Sequence, residues 1–184
     1  MLRLWVIDGS KALRSGIDQL CGKDARVQRC RIHKIRNVTE RLPKARAEQV
    51  RWLMKQAYLL DAAKGKQKLT ELARSLKAHH PDAAASALER LDEMFTITDL
   101  GITGEPARCL ATTNVIESPN SVVRRVSGRV TNYKDAEMAL RWTAAGFLEV
   151  EKSFRKLRGH AQMKTLIDAL RPNTQPLKKA ASFP

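Results

Sequence analysis

The strongest constraint on the fold is a long helical pattern between Lys34 and Phe95. This stretch is rich in Ala, Leu, Lys and Glu, residues of high helix propensity, and it is interrupted at Pro43, around Gly65 and at Pro81. The pattern predicts four helices. Because strand-like sequence precedes the stretch and a different motif follows it, we interpret it as a helical subdomain inserted into another fold.

Two short strands are predicted before the helical stretch. A mostly apolar run from Leu2 to Ile7 ends at Asp8, which indicates a buried strand leading into a turn. Ser10 is placed to cap a helix that continues to about Leu20. A second strand is predicted within Ala25 to Ile32, although its alternation of apolar and polar residues is imperfect.

The second half of the chain is predicted to be irregular at first and then helical. Glycine and proline residues make Thr96 to Cys109 look irregular. A helix is predicted from near Asn114 to about Val126, and a longer one from about Asp135 to Leu157, with a polar turn between them. Past Arg171, prolines and adjacent lysines favour a flexible tail.

The charge balance favours a polyanionic partner. The chain has 34 Lys and Arg against 19 Asp and Glu, a formal net charge of +15 and a pI of about 10.2. Such a balance is typical of proteins that bind nucleic acid, although a solvated basic surface without a ligand would have the same composition. Three scattered cysteines do not make a disulfide scaffold, and no apolar run is long enough to span a bilayer. We therefore expect a cytoplasmic protein without a membrane segment or signal peptide.

Two carboxylates are candidates for metal binding. Asp8 follows a strand, so its side chain could extend from a rigid element and bind a hard cation such as Mg²⁺, but it could equally cap the helix beginning near Ser10. Glu117 stands three residues after Asn114, which is the spacing of a capping box. A capping box would explain this glutamate without a catalytic role. It could instead face Asp8, if the fold brings the two together across the helical stretch.

Cysteine and histidine residues offer a weaker metal signal. Cys30 and His33 have a spacing compatible with zinc ligands, but a structural zinc site needs four ligands and no second pair has matching spacing. His79, His80 and Cys109 are better interpreted as ordinary residues than as distant partners. Zinc is therefore disfavoured.

A group of basic residues follows Glu117 on its helix or just beyond it, and could line a track for DNA phosphates. The alternative is a basic solvent-facing surface, and Trp142 is more typical of a core residue than of a base-stacking platform. The candidate phosphate-binding residues are Arg124, Arg125, Arg129 and Lys134.

Four segments, in this order, resemble the Mutator-type transposases of bacterial insertion sequences. They are DGSKALR, VQRCRIHKIRNV, LATTNVIESPNSVVR and ALRWTAAGFLEVEKSFRKLRG, and together they extend over nearly the whole chain. The resemblance implies an α+β, predominantly helical fold with a partial ribonuclease-H-like core interrupted by an all-helical insertion. It also implies a division into residues 1–33 (strand-helix-strand part of the core), 34–110 (insertion), 111–171 (C-terminal core helices) and 172–184 (flexible tail).

The resemblance further implies a catalytic centre of the DDE class, in which three acidic residues bind two Mg²⁺ or Mn²⁺ ions. Asp8 would be the second acid and Glu117 the third, while Cys30 and His33 match a C-x-x-H element near that centre whose role we leave open. The implied activity is DNA transposition by phosphodiester cleavage and strand transfer, with insertion-sequence ends and target DNA as partners, self-association and a nucleoid-associated location.

The chain also departs from the family pattern. The first acid belongs to an earlier strand, whereas only seven residues precede Asp8 and none of them is acidic. We therefore expect weakened metal binding and no autonomous transposition, as in a fragment that lacks the first acid and the N-terminal DNA-binding region. Pro119 is a second departure, tolerable only in a first helical turn. The strand from Leu2 to Ile7 is expected to have an unpaired edge. The competing hypothesis is a non-enzymatic, basic helical protein that binds nucleic acid.

Overall fold

The computed structural model describes residues 3–22 and 25–171, and within them the predicted α+β, predominantly helical class is confirmed. The predicted tail, residues 172–184, lies outside the described residues. The elements are β1 (Leu4–Ile7), α1 (Lys11–Cys21), β2 (Arg26–Arg29), α2 (Arg31–Thr39), α3 (Lys44–Ala57), α4 (Ala62–Leu76), α5 (Pro81–Leu88), α6 (Thr96–Asp99), α7 (Gly104–Leu110), α8 (Asn114–Ser127), α9 (Ala136–Glu151) and α10 (Met163–Leu170), with short 3₁₀ helices at Leu91–Met94 and His160–Gln162.

The two strands form a parallel pair connected through α1. They run in register from Leu4 opposite Arg26 to Ile7 opposite Arg29. Ile7, Ile17 and Val27 are buried together between the strands and α1. The predicted strand-helix-strand order is correct. The second strand, predicted within Ala25 to Ile32, is shorter: β2 ends at Arg29, and Arg31 and Ile32 already belong to α2.

Helices α2 to α5, called the insertion below, have a core of their own. The four predicted helices are α2 to α5, and their buried side chains include Val38, Val50, Met54, Leu69 and Leu76. This cluster continues into Met94 and Phe95, which lie just after the four helices. The insertion is therefore held together mainly by apolar burial along one face of each helix.

A helix break was predicted around Gly65, with Asp61 at a helix boundary, and the structure confirms the boundary at Asp61 but not a break at Gly65. The break lies before Asp61, whose Oδ1 accepts a hydrogen bond from the Lys64 N–H at 2.9 Å and so caps α4. Gly65 lies inside α4, where an added Cβ would collide with the Phe95 ring and come within 2.7 Å of the Ala57 carbonyl oxygen. The glycine permits close packing inside the insertion core.

Polar contacts fasten the insertion to the strand pair. Arg31 donates from Nε to the Met94 carbonyl at 3.0 Å and from a terminal nitrogen to the Tyr58 carbonyl at 3.2 Å, and its guanidinium lies 5.0 Å from the centre of the Tyr58 ring. Buried Gln28 donates to the same Met94 carbonyl at 3.1 Å and accepts from the Ile97 N–H at 3.0 Å. These contacts fix where β2 ends relative to the insertion.

The segment from Thr96 to Cys109 is not irregular, as its glycines suggested. It contains α6 and most of α7, and Ile97 and Ile102 belong to a buried cluster with Leu166. Gly101 and Gly104 have positive φ angles of 71° and 68°, a conformation that favours glycine. The glycines therefore mark the turn between two short helices.

Helices α8 and α9 pack against each other, and Gly146 lies close to Val123 where they meet. Pro119 lies inside α8, past its first turn, which is the less tolerated position. Helix α9 ends at Glu151 instead of Leu157, and Leu140, one residue of its predicted apolar face, is 68% exposed. No helix in the described part of the chain is long and apolar enough to cross a membrane.

Candidate metal site and nucleic-acid surface

Asp8 and Cys30 follow the ends of the two parallel strands. The Cys30 N–H donates to the Ile7 carbonyl at 2.7 Å, so the two chain segments leave the sheet side by side. Asp8 is exposed, and its Oδ1 accepts from the Ser10 N–H at 2.9 Å. The cap of α1 is Ser10, whose Oγ accepts from the Leu13 N–H at 3.3 Å. Asp8 therefore shapes the turn before α1 while a part of its carboxylate faces solvent.

Glu117 is not part of a capping box. The N-cap of α8 is Thr113, one residue before the predicted Asn114, and no side chain caps the helix. The Thr113 hydroxyl instead donates to Oε1 of Glu117. His33 Nδ1 lies 3.6 Å from the same oxygen. Because the capping role is absent, the position of this carboxylate has to be explained by its contacts with Thr113 and His33.

The C-x-x-H residues connect the strand ends to Glu117. Cys30 is 1% exposed, and its Sγ lies 3.3 Å from His33 Nδ1. The same nitrogen is 3.3 Å from Thr113 Oγ1. A continuous series of contacts thus leads from the residue preceding Asp8, through Cys30 and His33, to Glu117. The structure brings His33 into contact with both Cys30 and Glu117, and Asp8 follows the end of the neighbouring strand.

The carboxylates are the best metal ligands this region offers. Among residues 3–22 and 25–171, no three His, Cys, Asp or Glu side chains lie close enough together to hold a metal ion. Exposed carboxylate oxygens such as those of Asp8 and Glu117 suit a hard cation that keeps several water ligands.

The predicted phosphate-contacting residues form an exposed group at the far end of α8. Two occupy its last turn and two lie in the connection to α9, and none of them takes part in an ion pair within the described residues. Trp142, predicted to be a core residue, is 37% exposed. The exposed basic residues are Arg124, Arg125, Arg129 and Lys134.

Comparison with known proteins identifies the family. The family model described as "Transposase, Mutator family" matches residues 1–156, most of the chain. The chain belongs to the Mutator transposase family. It is also similar to the transposase for insertion sequence element IST2 of Acidithiobacillus ferrooxidans, at 26% identity over 126 residues. That match covers 68% of this chain and 42% of the relative, so the chain spans less than half of the relative's length.

A buried charge cluster in this Mutator-family chain was missed by the sequence analysis. Lys34 is 0% exposed and its Nζ donates to the carbonyls of Ser86 and Glu89 at 2.7 and 2.9 Å. The Glu89 carboxylate lies 3.2 Å from Lys34 Nζ and 3.0 Å from a terminal nitrogen of Arg29, which is 3% exposed. The imperfect alternation around β2, with charged residues at buried positions, was the available signal.

Burial sets the protonation behaviour of this cluster. Loss of water, followed by the nearby charge of Arg29, lowers the pKa of Lys34 to about 8, even though Glu89 opposes the shift. Burial raises the pKa of Glu89, but the hydrogen bond and charge of Lys34 and the charge of Arg29 outweigh it, so the net shift is downward. The cluster thus holds two cations against one carboxylate beside the strand ends.

Proposed function

We propose that this chain supplies two acidic ligands, Asp8 and Glu117, to the metal site of a DNA transposase. In this proposal the intact protein cuts and joins DNA at insertion-sequence ends. The strand pair and the C-terminal helices belong to a ribonuclease-H-like core, with residues 1–33 and 111–171 on either side of the insertion at 34–110. Membership of the Mutator family supports the transposase role.

One observation carries the proposal: the series of contacts between the strand ends and Glu117. Residues about eighty positions apart meet here. The Arg31 N–H donates to the Ala111 carbonyl at 2.9 Å, immediately before α8, and His33 Nδ1 lies 3.6 Å from Glu117 Oε1. A carboxylate that merely capped its helix would need no such neighbours. The arrangement supports a role for Glu117 at the same end of the strands as Asp8.

The donor set fits Mg²⁺ or Mn²⁺ better than zinc. Both carboxylates are accessible, Glu117 having 48% of its side chain exposed, whereas Cys30 is buried and faces His33. Such an ion, when bound, would stabilise negative charge at a phosphodiester. The residues of the chain would contribute the rest: Thr113 and His33 orient the Glu117 carboxylate, and the turn at Ser10 holds Asp8.

Two carboxylates are too few anionic ligands for two divalent ions. We therefore propose that metal binding by these residues is weak and that DNA cleavage needs a further acidic ligand. In the described residues, β1 has a strand neighbour on one side only, β2. An additional strand at its other edge would enlarge the sheet, and we propose that this edge is where a further part of the core, or another copy of the chain, pairs.

The exposed basic group at the end of α8 is proposed to contact DNA phosphates. Four cationic side chains without ion-pair partners in the described residues can neutralise phosphates without reading the base sequence. The residues are Arg124, Arg125, Arg129 and Lys134. This contribution would exist even if the metal site proposal failed.

Manganese binding tests the metal site. We expect saturable Mn²⁺ binding, measured by electron paramagnetic resonance, that Asp8→Asn and Glu117→Gln each weaken about tenfold or more. Glu105→Gln is the matched control, because Glu105 lies in the first turn of α7 and pairs with Arg108 at 3.1 Å. Equal Mn²⁺ binding by all variants would contradict the proposal and favour a basic nucleic-acid-binding protein without a metal site.

DNA cleavage tests the second part. We expect the 184-residue chain to bind duplex DNA but to leave an insertion-sequence end uncut in Mg²⁺ or Mn²⁺. If the chain cleaves the DNA and Glu117→Gln does not, two acidic ligands from this chain are enough. The proposal that cleavage needs a further acidic ligand would then be wrong.

A further inference from the structure

The Arg29 side chain lies against the turn that carries Asp8. Arg29 is paired with Ile7, the last residue of β1, and its guanidinium lies next to Gly9. A Cβ added to Gly9 would come within 2.5 Å of a terminal guanidinium nitrogen and 2.6 Å of Nε. Gly9 also has a φ angle of 109°, which side-chain-bearing residues rarely adopt. The guanidinium therefore occupies the space where any other residue at position 9 would place its side chain.

The burial of Arg29 is not explained by pairing alone. The residue is 3% exposed, and its Nε is buried without a hydrogen-bond partner in the described part of the chain. Burying a donor without an acceptor is unfavourable, and an aliphatic side chain would fill this place at lower cost. An arginine at this position instead places a rigid, planar, positively charged group against the turn.

The second anchor of Arg29 comes from the insertion. Its terminal nitrogen lies 3.0 Å from the carboxylate of Glu89, the residue that follows α5, and Lys34 Nζ lies 3.2 Å from the same carboxylate. Glu89 is thus held by two cations, one from β2 and one from α2. A change at the end of α5 would be transmitted through one ion pair to the guanidinium beneath Gly9.

We infer that Arg29 is a positioning residue for Asp8 and that Glu89 makes its position depend on the helical insertion. The orientation of the Asp8 carboxylate follows from the turn, because Oδ1 accepts from the Ser10 N–H at 2.9 Å. The Arg29 guanidinium packs against Gly9 in that turn, so Arg29 acts on metal binding through Asp8. The inference rests on the proposed function of Asp8 as a metal ligand.

The alternative is that Arg29 only fastens the insertion to the core. Both roles predict a loss of stability when Arg29 is changed, so stability does not separate them. They differ in two readouts: the amide resonance of Ser10 and the dependence of Mn²⁺ affinity on Asp8. A fastening role would leave both unchanged in a variant that still folds.

A double-mutant cycle with Arg29→Lys and Asp8→Asn tests the inference. We expect Arg29→Lys to shift the Ser10 amide resonance and to weaken Mn²⁺ binding about tenfold when Asp8 is present. In the Asp8→Asn background, the same substitution should leave the residual Mn²⁺ binding unchanged. Arg14→Lys is the matched control, because Arg14 is similarly buried at 9% exposure and pairs with Glu93 at 2.9 Å.

The outcomes distinguish the positioning role of Arg29 from the proposed role of Asp8 as a metal ligand. If Arg29→Lys changes neither the Ser10 resonance nor Mn²⁺ affinity, or weakens Mn²⁺ binding equally in both backgrounds, the positioning role is overturned. If the unmodified chain has no Asp8-dependent Mn²⁺ site, the proposed function fails. The Ser10 resonance then decides the positioning of the turn by itself: a shift in Arg29→Lys but not in Arg14→Lys supports it, and no shift overturns it.

Glu89→Gln provides a second variant if Arg29→Lys does not fold. It keeps the size of the side chain and removes the charge that holds the guanidinium. We expect a smaller change of the same kind, with the Ser10 amide shifted and Mn²⁺ binding weakened only when Asp8 is present. A Ser10 resonance and an Mn²⁺ affinity identical to those of the unmodified chain would contradict the dependence on the insertion.

Discussion

Replacing Lys34 by Met should remove a pH dependence of stability that this buried amine creates. Its Nζ is 0% exposed and donates to the Ser86 and Glu89 carbonyls, with the Glu89 carboxylate at 3.2 Å. Burial and the charge of Arg29 lower its pKa from 10.5 to about 8. Methionine has a similar length without the charge, so it fills the site and cannot titrate.

The sign of the effect follows from proton binding. Between pH 8 and 10.5 the unfolded chain keeps the Lys34 proton while the folded chain releases it. The free energy of unfolding therefore rises with pH in this window. Well below pH 8 both states keep the proton, so Lys34 lowers the stability by a constant amount that does not depend on pH. For a pKa of about 8, the rise from pH 7 to pH 9 amounts to about 1.3 kcal/mol, and the full shift to about 3 kcal/mol.

Urea unfolding followed by circular dichroism at pH 7, 8 and 9 measures this rise. Raising the pH from 7 to 9 should stabilise the unmodified chain by about 1.3 kcal/mol relative to Lys34→Met. Burial raises the pKa of Tyr58 well above its usual value, so Tyr58 stays protonated in the folded chain between pH 7 and pH 9.

Lys66→Met is the matched control for the titration. Its hydrogen bond with Asp92 is the main cause that raises the pKa of Lys66, so it stays charged from pH 7 to pH 9 in both states. The pH dependence of Lys66→Met should equal that of the unmodified chain. If Lys34→Met also has the same pH dependence as the unmodified chain, the buried amine does not titrate near pH 8 and the reasoning is refuted.

Three further predictions concern packing, the metal site and DNA. Gly65→Ala should destabilise the chain by about 1 to 3 kcal/mol in urea unfolding, because the collision with Phe95 outweighs the gain in helix propensity; an equal or higher stability would show that the ring moves freely. Thr113→Val should weaken Mn²⁺ binding about tenfold, because the hydroxyl that holds Glu117 is lost; unchanged binding would exclude that role. Changing the four exposed basic residues to Gln together should lower DNA affinity and reduce the slope of log affinity against log salt by about 3 to 4, as measured by fluorescence anisotropy, whereas an unchanged slope would place the DNA elsewhere.

The helices could be predicted from sequence because their signals are local. Propensity, proline breaks and helix caps gave four insertion helices where the structure has α2 to α5, and Ser10 is the predicted cap of α1. Two of the errors came from glycine. Gly65 is needed because the ring of Phe95, thirty positions away, packs against it. Gly101 and Gly104 instead form a turn between two helices. Local patterns do not distinguish these uses of glycine.

The attachment of the insertion could not be predicted, because it depends on polar contacts between distant residues. Arg31 and Gln28 both donate to the Met94 carbonyl, across 63 and 66 positions, and no spacing rule indicates such a pair. Arginine at the start of a helix is normally expected in solvent. The contact between His33 and Glu117 is of the same kind, so the sequence suggested each residue, through the family resemblance, without indicating that they touch.

The start of α8 shows how the geometry at Glu117 differs from that of an ordinary helix terminus. A threonine at the N-cap usually accepts a hydrogen bond from a backbone N–H two or three residues later, which contributes about 1 kcal/mol to stability. Thr113 makes no such bond, and its hydroxyl donates to the Glu117 carboxylate instead. Pro119, past the first turn of the same helix, adds a second unfavourable feature. Helix α8 thus lacks a side-chain cap and contains an internal proline, while Thr113 and His33 contact the Glu117 carboxylate. Its sequence favours the position of that carboxylate over the stability of the helix.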